Sequence, residues 1–248
     1  MSATFVLTPG RCGTQWLTQQ LRSKNSMNWV CHEPLHFDYA PLHNSPSQPL
    51  NTNKDRLSSH LASIHKHLGQ GNHYLECGFP CWRHLDWFKQ ELGEHVKLIH
   101  IHRDPVENST SLLKLNAFVP PVLPHLPEKQ LFHPQAPESA FPEYADHWGE
   151  LSPFEKNLYY WAEVNQQADL YKTNFASTHV LTIPYRELFS RSSLERIAEF
   201  ANLDFLFAAT MLENEDQFQG IPQSPILSEK IYGHPKIITI AERLGYAY

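Results

Sequence analysis

Apolar, strand-like runs alternate with helix-like segments along most of the chain, and this alternation limits the possible folds more than any other feature. Each apolar run ends at proline, glycine or a polar residue. The five runs occupy residues 3–9, 28–34, 73–79, 96–103 and 179–185. Strands separated by helices pair in parallel, because each crossover returns the chain to the same edge of the sheet. The pattern predicts an α/β fold: a single three-layer domain over residues 1–248, with a mainly parallel sheet of about five strands.

The helix-like segments have a period near 3.6 residues and recognisable ends. They occupy residues 13–23, 54–69, 152–174, 192–203 and 234–248, and another begins at Asp104-Pro105. Ser152 and Glu155 have the spacing of a capping box at the start of the longest one. Residues 35–53 are rich in Pro, Asn, Ser and His and predict a long loop. Prolines and aromatic residues interrupt the alternation over 117–150, which we predict to be an insertion near the binding site of an acceptor.

The net charge and the residue composition limit the classes of molecule that this chain is expected to bind. The formal net charge of −6 argues against nucleic acid or an anionic membrane surface as the main partner. No apolar run has the length of a membrane span, and the first strand follows Met1 too closely for a signal peptide, so we expect a cytoplasmic protein. The cysteines form no C-x-x-C pair and the sixteen histidines form no H-E-x-x-H, so free thiols and no metal site are expected. The four cysteines are Cys12, Cys31, Cys77 and Cys81.

The segment TFVLTPGRCGTQWLTQQL (4–21) has the order strand, tight turn and helix start that holds phosphate groups. Arg11 and Thr14 flank the helix start and favour an anion there. The nucleoside-triphosphate signature G-x-x-x-x-G-K-[ST] is missing, and no lysine follows Gly13. The alternative is an ordinary turn without a ligand.

A second anion site is predicted in IHRDPVENSTSLL. Arg103 ends the fourth strand, and Ser111 lies eight residues later, about two turns into the next helix. An arginine and a hydroxyl placed in this way can hold one phosphate from two sides. The alternative is structural: Arg103 would pair with Asp104 or Glu107, and Ser111 would be a buried helical hydroxyl. In a parallel sheet both segments lie at the carboxyl edge, where ligands bind.

These segments resemble the nucleotide-binding motifs of sulfotransferases that use 3′-phosphoadenosine 5′-phosphosulfate (PAPS). TPGRCGTQWL is similar to their 5′-phosphosulfate loop, and HRDPVENSTS to their 3′-phosphate motif, R-[ND]-P with a serine eight residues after the arginine. LTIPYREL resembles a strand that ends in Y-E-[DN]-L, and ERLGY is a frequent ending of bacterial members. The resemblance implies a P-loop-like fold and nucleotide contacts from a set of residues in these motifs. They are Arg11, Cys12, Gly13, Thr14, Gln15, Trp16, Arg103, Ser111 and Tyr185.

The chain departs from the family pattern at several places, including Arg11, where the cytosolic enzymes carry lysine. Cys12 replaces a serine, and Gln15 replaces a serine or threonine, although both changes leave the backbone N–H groups of the loop in place. HPKIITI does not reproduce the R-K-G loop with which cytosolic enzymes contact the 3′-phosphate.

The resemblance implies in-line transfer of a sulfuryl group from PAPS to a hydroxyl or amine of a small-molecule or carbohydrate acceptor, with no metal required. Two anion sites about one nucleoside apart are expected, with Arg11 stabilising the developing charge. Glu33, about twenty residues after Arg11, is the expected general base. Neighbouring strand residues point to opposite faces, so only one of His32 and Glu33 should face the acceptor.

Other bases, acceptor contacts and functions stay open at this point. Glu76, His73 and His84 are alternatives to Glu33 and His32 as the base. Acceptor contacts are expected from 35–53, 79–88 and 117–150, where Trp82, Trp87 and Phe88 either stack on the acceptor or belong to the core. The alternative functions are a P-loop kinase or NTPase and a catalytically silent nucleotide-binding protein on the same fold.

Overall fold

The computed structural model describes residues 1–22, 27–35, 54–78, 84–119, 133–204 and 225–248. Its centre is one five-stranded sheet in which every neighbouring pair of strands is parallel. The strands are β1 (Ala3–Leu7), β2 (Trp29–His32), β3 (Tyr74–Cys77), β4 (Val96–His102) and β5 (Val180–Pro184). Their spatial order is β2-β3-β1-β4-β5. All five predicted strands and the predicted α/β class are confirmed.

The helices cover the two faces of this sheet. They are α1 (Thr14–Leu21), α2 (Lys54–Gly69), α3 (Leu85–Leu92), α4 (Pro105–Leu113), α5 (Pro153–Asn174), α6 (Tyr185–Leu188), α7 (Arg191–Ala201), α8 (Pro225–Glu229) and α9 (Pro235–Arg243). Short 3₁₀ helices occupy Gly93–His95, Pro142–His147, Ser177–His179 and Lys230–Gly233. The helices predicted at 13–23, 54–69, 152–174, 192–203 and 234–248, and the one after Asp104, are all present.

Alternating side chains of the strands form two separate cores, because successive residues of a strand point to opposite faces. On β1, Phe5 and Leu7 enter one core and Val6 enters the other. The first core packs against α2, α3, α4, α5 and α9, and the second against α1, α6 and α7. The three layers predicted from the alternation of strands and helices are therefore present, with the sheet in the middle.

Two helix starts follow the predicted capping chemistry. The Asp104 carboxylate accepts a hydrogen bond from the backbone N–H of Glu107 at 2.9 Å, and Pro105 is the first residue of α4. Ser152 and Glu155 form a reciprocal capping box at the start of α5. These caps satisfy N–H groups that a helix leaves without a partner at its amino end.

Helix α3 was not predicted, and it decides between the two alternatives for one of the aromatic residues in the segment 79–88, for which acceptor contacts were expected. Phe88 on α3 is fully buried, with its ring 4.5 Å from that of Phe5, so it belongs to the core. Trp87 packs against the same core from its edge. Trp82 lies outside the described residues.

The described part of 117–150 also packs inward. Phe118, Phe141 and Trp148 join the core around α5, and the buried Glu163 carboxylate accepts hydrogen bonds from the backbone N–H groups of Ala140 and Phe141. These contacts hold the segment against α5. An acceptor-binding role for the whole segment stays a prediction.

The strand order places a crevice between β1 and β4. These strands are neighbours, yet the chain leaves β1 towards α1 on one face and leaves β4 towards α4 on the other. Because the two connections diverge, they leave an opening at the carboxyl edge of the sheet, which is where α/β proteins bind ligands. Both predicted anion motifs border this opening.

The central strand should carry much of the stability. We expect Phe5→Ala to lower the free energy of unfolding by about 3–5 kcal/mol, because Phe5 is fully buried and no neighbouring ring can fill the cavity without leaving its own contacts. Denaturant titration followed by circular dichroism measures the change. Leu170→Ala is the matched control: that side chain is 48% exposed and should change the free energy by less than about 0.5 kcal/mol. Equal effects of the two substitutions would contradict this account of the core.

Candidate functional site

The loop after β1 has the backbone conformation of an anion cradle. Gly10, Arg11 and Gly13 all have positive φ, at 85°, 56° and 76°. Such turns direct successive backbone N–H groups to one side, and α1 begins immediately afterwards at Thr14. A Cβ atom on Gly13 would lie 2.8 Å from Cδ2 of Leu188, so the close approach of α6 also requires glycine here.

Arg103 connects the two predicted anion motifs. It is 6% exposed, and one terminal nitrogen of its guanidinium group donates a hydrogen bond of 3.1 Å to the carbonyl of Arg11. The guanidinium carbon lies 4.2 Å from the centre of the Tyr185 ring, and Nε donates to Glu107 at 3.3 Å. The pairing with Glu107 is therefore present, and the contact with the first loop occurs together with it. Arg103 and Tyr185 lie together at the crevice.

Asn108 is a site residue that the sequence analysis missed. Its side-chain amide donates a hydrogen bond of 2.8 Å to the carbonyl of Gly10 and lies 3.7 Å from the sulfur of Cys12. Asn108 is fully buried, so this hydrogen bond holds the loop against the first turn of α4. The position of Asn108 in the second motif, between Arg103 and Ser111, was the only signal in the sequence.

The two motifs meet more directly than expected. Nε of Arg11 donates a hydrogen bond of 3.1 Å to the hydroxyl of Ser111. The Arg11 side chain thus links the first loop to Ser111 of the second motif, although the two anion sites were expected to lie about one nucleoside apart. Arg11 is exposed, so its guanidinium group can turn from Ser111 towards the loop at little cost.

The other residues of the first loop have different environments. Cys12 is fully buried, and burial raises the pKa of its thiol to about 11, so it is a neutral structural residue. Trp16 is also buried, with its ring 4.8 Å from that of Phe189. Its ring belongs to the core, which leaves only its backbone to contribute to a nucleotide site. Gln15 is exposed beside Thr14, at the start of α1.

His32 and Glu33 lie together instead of on opposite faces, which corrects the expectation from strand alternation. β2 ends at His32, and Glu33 has a φ of 44°, so the alternation does not extend to it. Nε2 of His32 is 3.1 Å from the hydroxyl of Thr14 and 3.7 Å from the carboxylate of Glu33. A carboxylate and an imidazole therefore converge at the helix start that follows the first loop.

Glycine at position 78 makes this arrangement possible. A Cβ atom there would lie 2.4 Å from Cγ of Glu33 and 3.3 Å from its backbone nitrogen. The backbone N–H of Glu33 donates to the carbonyl of Cys77 at 3.0 Å, which anchors the turn to the end of β3.

The other candidate bases lie elsewhere. Glu76 is fully buried in the core, where Tyr74 donates a hydrogen bond to its carboxylate and His60 lies 3.4 Å away. His73 precedes the first residue of β3, at the amino edge of the sheet, and accepts a hydrogen bond from the backbone of Ser2. His84 is 2% exposed at the start of α3. None of these three shares the Thr14 contact of His32.

Two tyrosines near the end of the described chain contact the residues on either side of Arg103. Tyr248 donates a hydrogen bond of 2.5 Å to the second carboxylate oxygen of Asp104, and Tyr246 lies 2.9 Å from Nδ1 of His102. His102 and Asp104 flank Arg103, so these contacts fix the backbone that presents its guanidinium group. Trp161 adds a hydrogen bond of 2.8 Å to the Arg103 carbonyl.

Two classes of feature are not found in the described ranges. No helix there is long and apolar enough to cross a membrane. No group of three or more His, Cys, Asp or Glu side chains in those same ranges could hold a metal ion.

Comparison with known proteins gives matches to solved structures alone. No protein-family model matches the sequence, and no curated protein does. The structure is similar to the sulfotransferase domain from the curacin biosynthetic pathway, with 13% identity, a TM-score of 0.54, and 99% of this chain and 98% of that chain covered.

Two further structures are similar to the same extent. The sulfotransferase domain of the Synechococcus PCC 7002 olefin synthase has 14% identity and a TM-score of 0.54, with 100% of this chain and 96% of that chain covered. A sulfotransferase from Alicyclobacillus acidocaldarius has 14% identity and a TM-score of 0.56, with 100% and 97% covered. At these identities the likeness shows the fold: this chain has the α/β fold of the sulfotransferase structures.

We expect His102 to make the folded state less stable in acid. Burial lowers the pKa of His102 to about 4, below the value near 6.5 of an unfolded chain. Between these values the unfolded chain binds more protons, so the free energy of unfolding falls as the pH falls. Nearby Lys172 acts in the same direction and Asp169 opposes it.

Denaturant titration of the wild type and of His102→Gln at pH 7 and pH 5 isolates this contribution. The loss of stability between the two pH values should be about 2 kcal/mol larger in the wild type. Equal losses would mean that His102 titrates in the folded protein as it does in the unfolded chain.

Proposed function

We propose that this protein is a sulfotransferase that transfers a sulfuryl group from PAPS to a hydroxyl or amine of a small-molecule or carbohydrate acceptor. The main observation behind this proposal is that the two predicted anion motifs contact each other beside the crevice between β1 and β4. Arg103 donates to the loop carbonyl of Arg11, and Arg11 donates to Ser111 on α4. The fold likeness to sulfotransferase structures over nearly the whole chain supports it.

The residues of the crevice fit a nucleotide with phosphates at two positions. The positive φ angles of Gly10, Arg11 and Gly13 suit a loop whose N–H groups hold a 5′-phosphosulfate. Arg103 and Ser111 would hold the 3′-phosphate, and the ring of Tyr185 stacks on Arg103 beside them. When bound, PAPS supplies the activated sulfuryl group, and the bisphosphate is the leaving group.

Arg11 would act on the charge that develops during transfer. Its side chain is exposed and long enough to leave Ser111 for the 5′ side of the loop. A guanidinium group there stabilises negative charge on the oxygens of the sulfuryl group and the leaving phosphate.

Glu33 is the proposed general base. Its carboxylate lies at the end of β2, close to His32 beside the helix start that follows the loop, and its side chain is partly exposed. His32 contacts both Thr14 and Glu33, so its ring can hold the carboxylate in place. A carboxylate that accepts the proton of the acceptor hydroxyl makes the oxygen a better nucleophile.

The roles of Glu33 and His32 are separable by substitution. We expect Glu33→Gln to lower the turnover number about 10²–10⁴-fold with little change in donor affinity, because the amide keeps the shape and loses the base. His32→Ala should cost much less. Initial rates with saturating donor, together with the affinity for adenosine 3′,5′-bisphosphate, measure both effects. A larger loss in His32→Ala would assign the base to the histidine.

The two alternatives make different predictions about ligands. A P-loop kinase or NTPase would bind ATP with Mg²⁺, although no lysine follows Gly13 in this loop. A catalytically silent protein on this fold would bind the nucleotide without turnover, and the replacements at Cys12 and Gln15 keep that alternative open.

Thermal unfolding with different nucleotides distinguishes the classes. We expect adenosine 3′,5′-bisphosphate at a hundred times its Kd to raise Tm by about 5–10 °C, because a ligand at that concentration stabilises the folded state by about 2.7 kcal/mol. The effect should persist in EDTA, and ATP with Mg²⁺ should give a much smaller shift. Stabilisation by Mg-ATP alone would contradict the proposed function. Labelled sulfate transfer to a panel of hydroxyl and amine acceptors then separates an enzyme from a silent binder.

A further inference from the structure

Glu107 holds two arginines that come from different parts of the chain. One carboxylate oxygen accepts from Nε of Arg103 at 3.3 Å, and the other accepts from a terminal nitrogen of Arg186 at 2.7 Å. The Glu107 side chain is 14% exposed, so this ion pair is partly protected from water. Two guanidinium groups around one small anion resemble the arrangement with which arginines hold phosphate.

The position of Glu107 puts it within the region assigned to the 3′-phosphate. Glu107 lies four residues after Arg103 and four before Ser111, so on α4 it lies one helical turn before Ser111 on the same face. A phosphate that contacts both Arg103 and Ser111 therefore approaches the carboxylate of Glu107. Two negative groups so close repel each other unless a further cation compensates.

Arg186 is placed to be that cation. It follows Tyr185, whose ring stacks on Arg103, so the start of α6 brings both residues to the same place. The Arg186 side chain is 74% exposed, and it can reorient without breaking core contacts. Arg103, in contrast, is held by Tyr185 and by the Arg11 carbonyl.

We propose that Arg186 is a ligand of the nucleotide 3′-phosphate and that Glu107 is a built-in anion that the phosphate replaces. The inference rests on the proposed function, because it assigns the 3′-phosphate to Arg103 and Ser111. Before binding, Glu107 balances one of the two positive charges and keeps both arginines at the site. On binding, the phosphate takes the exposed donors of Arg186, and the dianion gains more from them than a single carboxylate does.

Substitution of Arg186 tests the first half of the proposal. Titration calorimetry with adenosine 3′,5′-bisphosphate and with adenosine 5′-monophosphate measures the contribution of the 3′-phosphate as a ratio of Kd values. We expect Arg186→Ala to weaken bisphosphate binding about tenfold, the value of a charge-assisted hydrogen bond, and to leave monophosphate binding within about twofold. Arg191→Ala is the matched control, because Arg191 is also an exposed arginine paired with a glutamate, Glu195, and should leave the ratio unchanged.

Substitution of Glu107 tests the second half. Glu107→Gln removes the competing charge and keeps the backbone N–H that Asp104 caps. We expect it to tighten bisphosphate binding by about threefold or more, with monophosphate binding unchanged. Weaker bisphosphate binding in Glu107→Gln would overturn the proposal, since the carboxylate would then serve to position Arg103. Thermal unfolding of each variant checks that the fold is intact.

Different binding results would contradict this inference and the proposed function. If the wild type binds the bisphosphate and Arg186→Ala has an unchanged ratio, then Arg186 is not a phosphate ligand and the proposed function stands. If the wild type binds neither nucleotide, the proposed function itself is contradicted.

Discussion

The structure of the site depends on a small set of hydrogen bonds between the loop after β1 and the start of α4. Arg103 and Asn108 donate to the carbonyls of Arg11 and Gly10, and both donors are buried. A buried carbonyl without a partner costs free energy, so these bonds hold the positive-φ loop in one conformation. Because β1 and β4 are neighbours whose connections diverge, the same bonds also join the two motifs that border the crevice. The nucleotide site proposed above is therefore largely formed before any ligand binds.

The sequence predicted the framework well for a physical reason. The central strands β1, β3 and β4 are buried almost completely on both faces, which favours mostly apolar runs, and each of these three runs is followed by a proline, a glycine or a charged residue. Asp104 with Pro105, and Ser152 with Glu155, gave helix starts with a chemical cause. Helix α3 was missed because Trp87 and Phe88 could equally belong to a binding surface. Their burial is a tertiary property that a local pattern does not contain.

The site was predicted less completely, because it depends on backbone conformation and on pairs of distant residues. The positive φ of Glu33 brings its carboxylate near His32, and the alternation rule of a strand could not anticipate it. Asn108 looked like an ordinary polar residue of a helix, and its role required knowing that Gly10 lies beside it. The sequence contained one signal for Arg186. The pattern Y-E-[DN]-L, which LTIPYREL resembles, has glutamate at this position, and this chain has an arginine of opposite charge.

The close approach of Gly78 to Glu33 has a consequence for how this protein can change over evolutionary time. The space that a methyl group would need at position 78 is filled by the Glu33 side chain. A larger residue at 78 is tolerated only after position 33 has moved or become smaller, so the two positions are not free to drift independently. Among homologues, loss of the carboxylate at 33 should precede or accompany loss of glycine at 78. In a lineage that keeps Gly78, a later substitution can restore glutamate at position 33 without a steric clash.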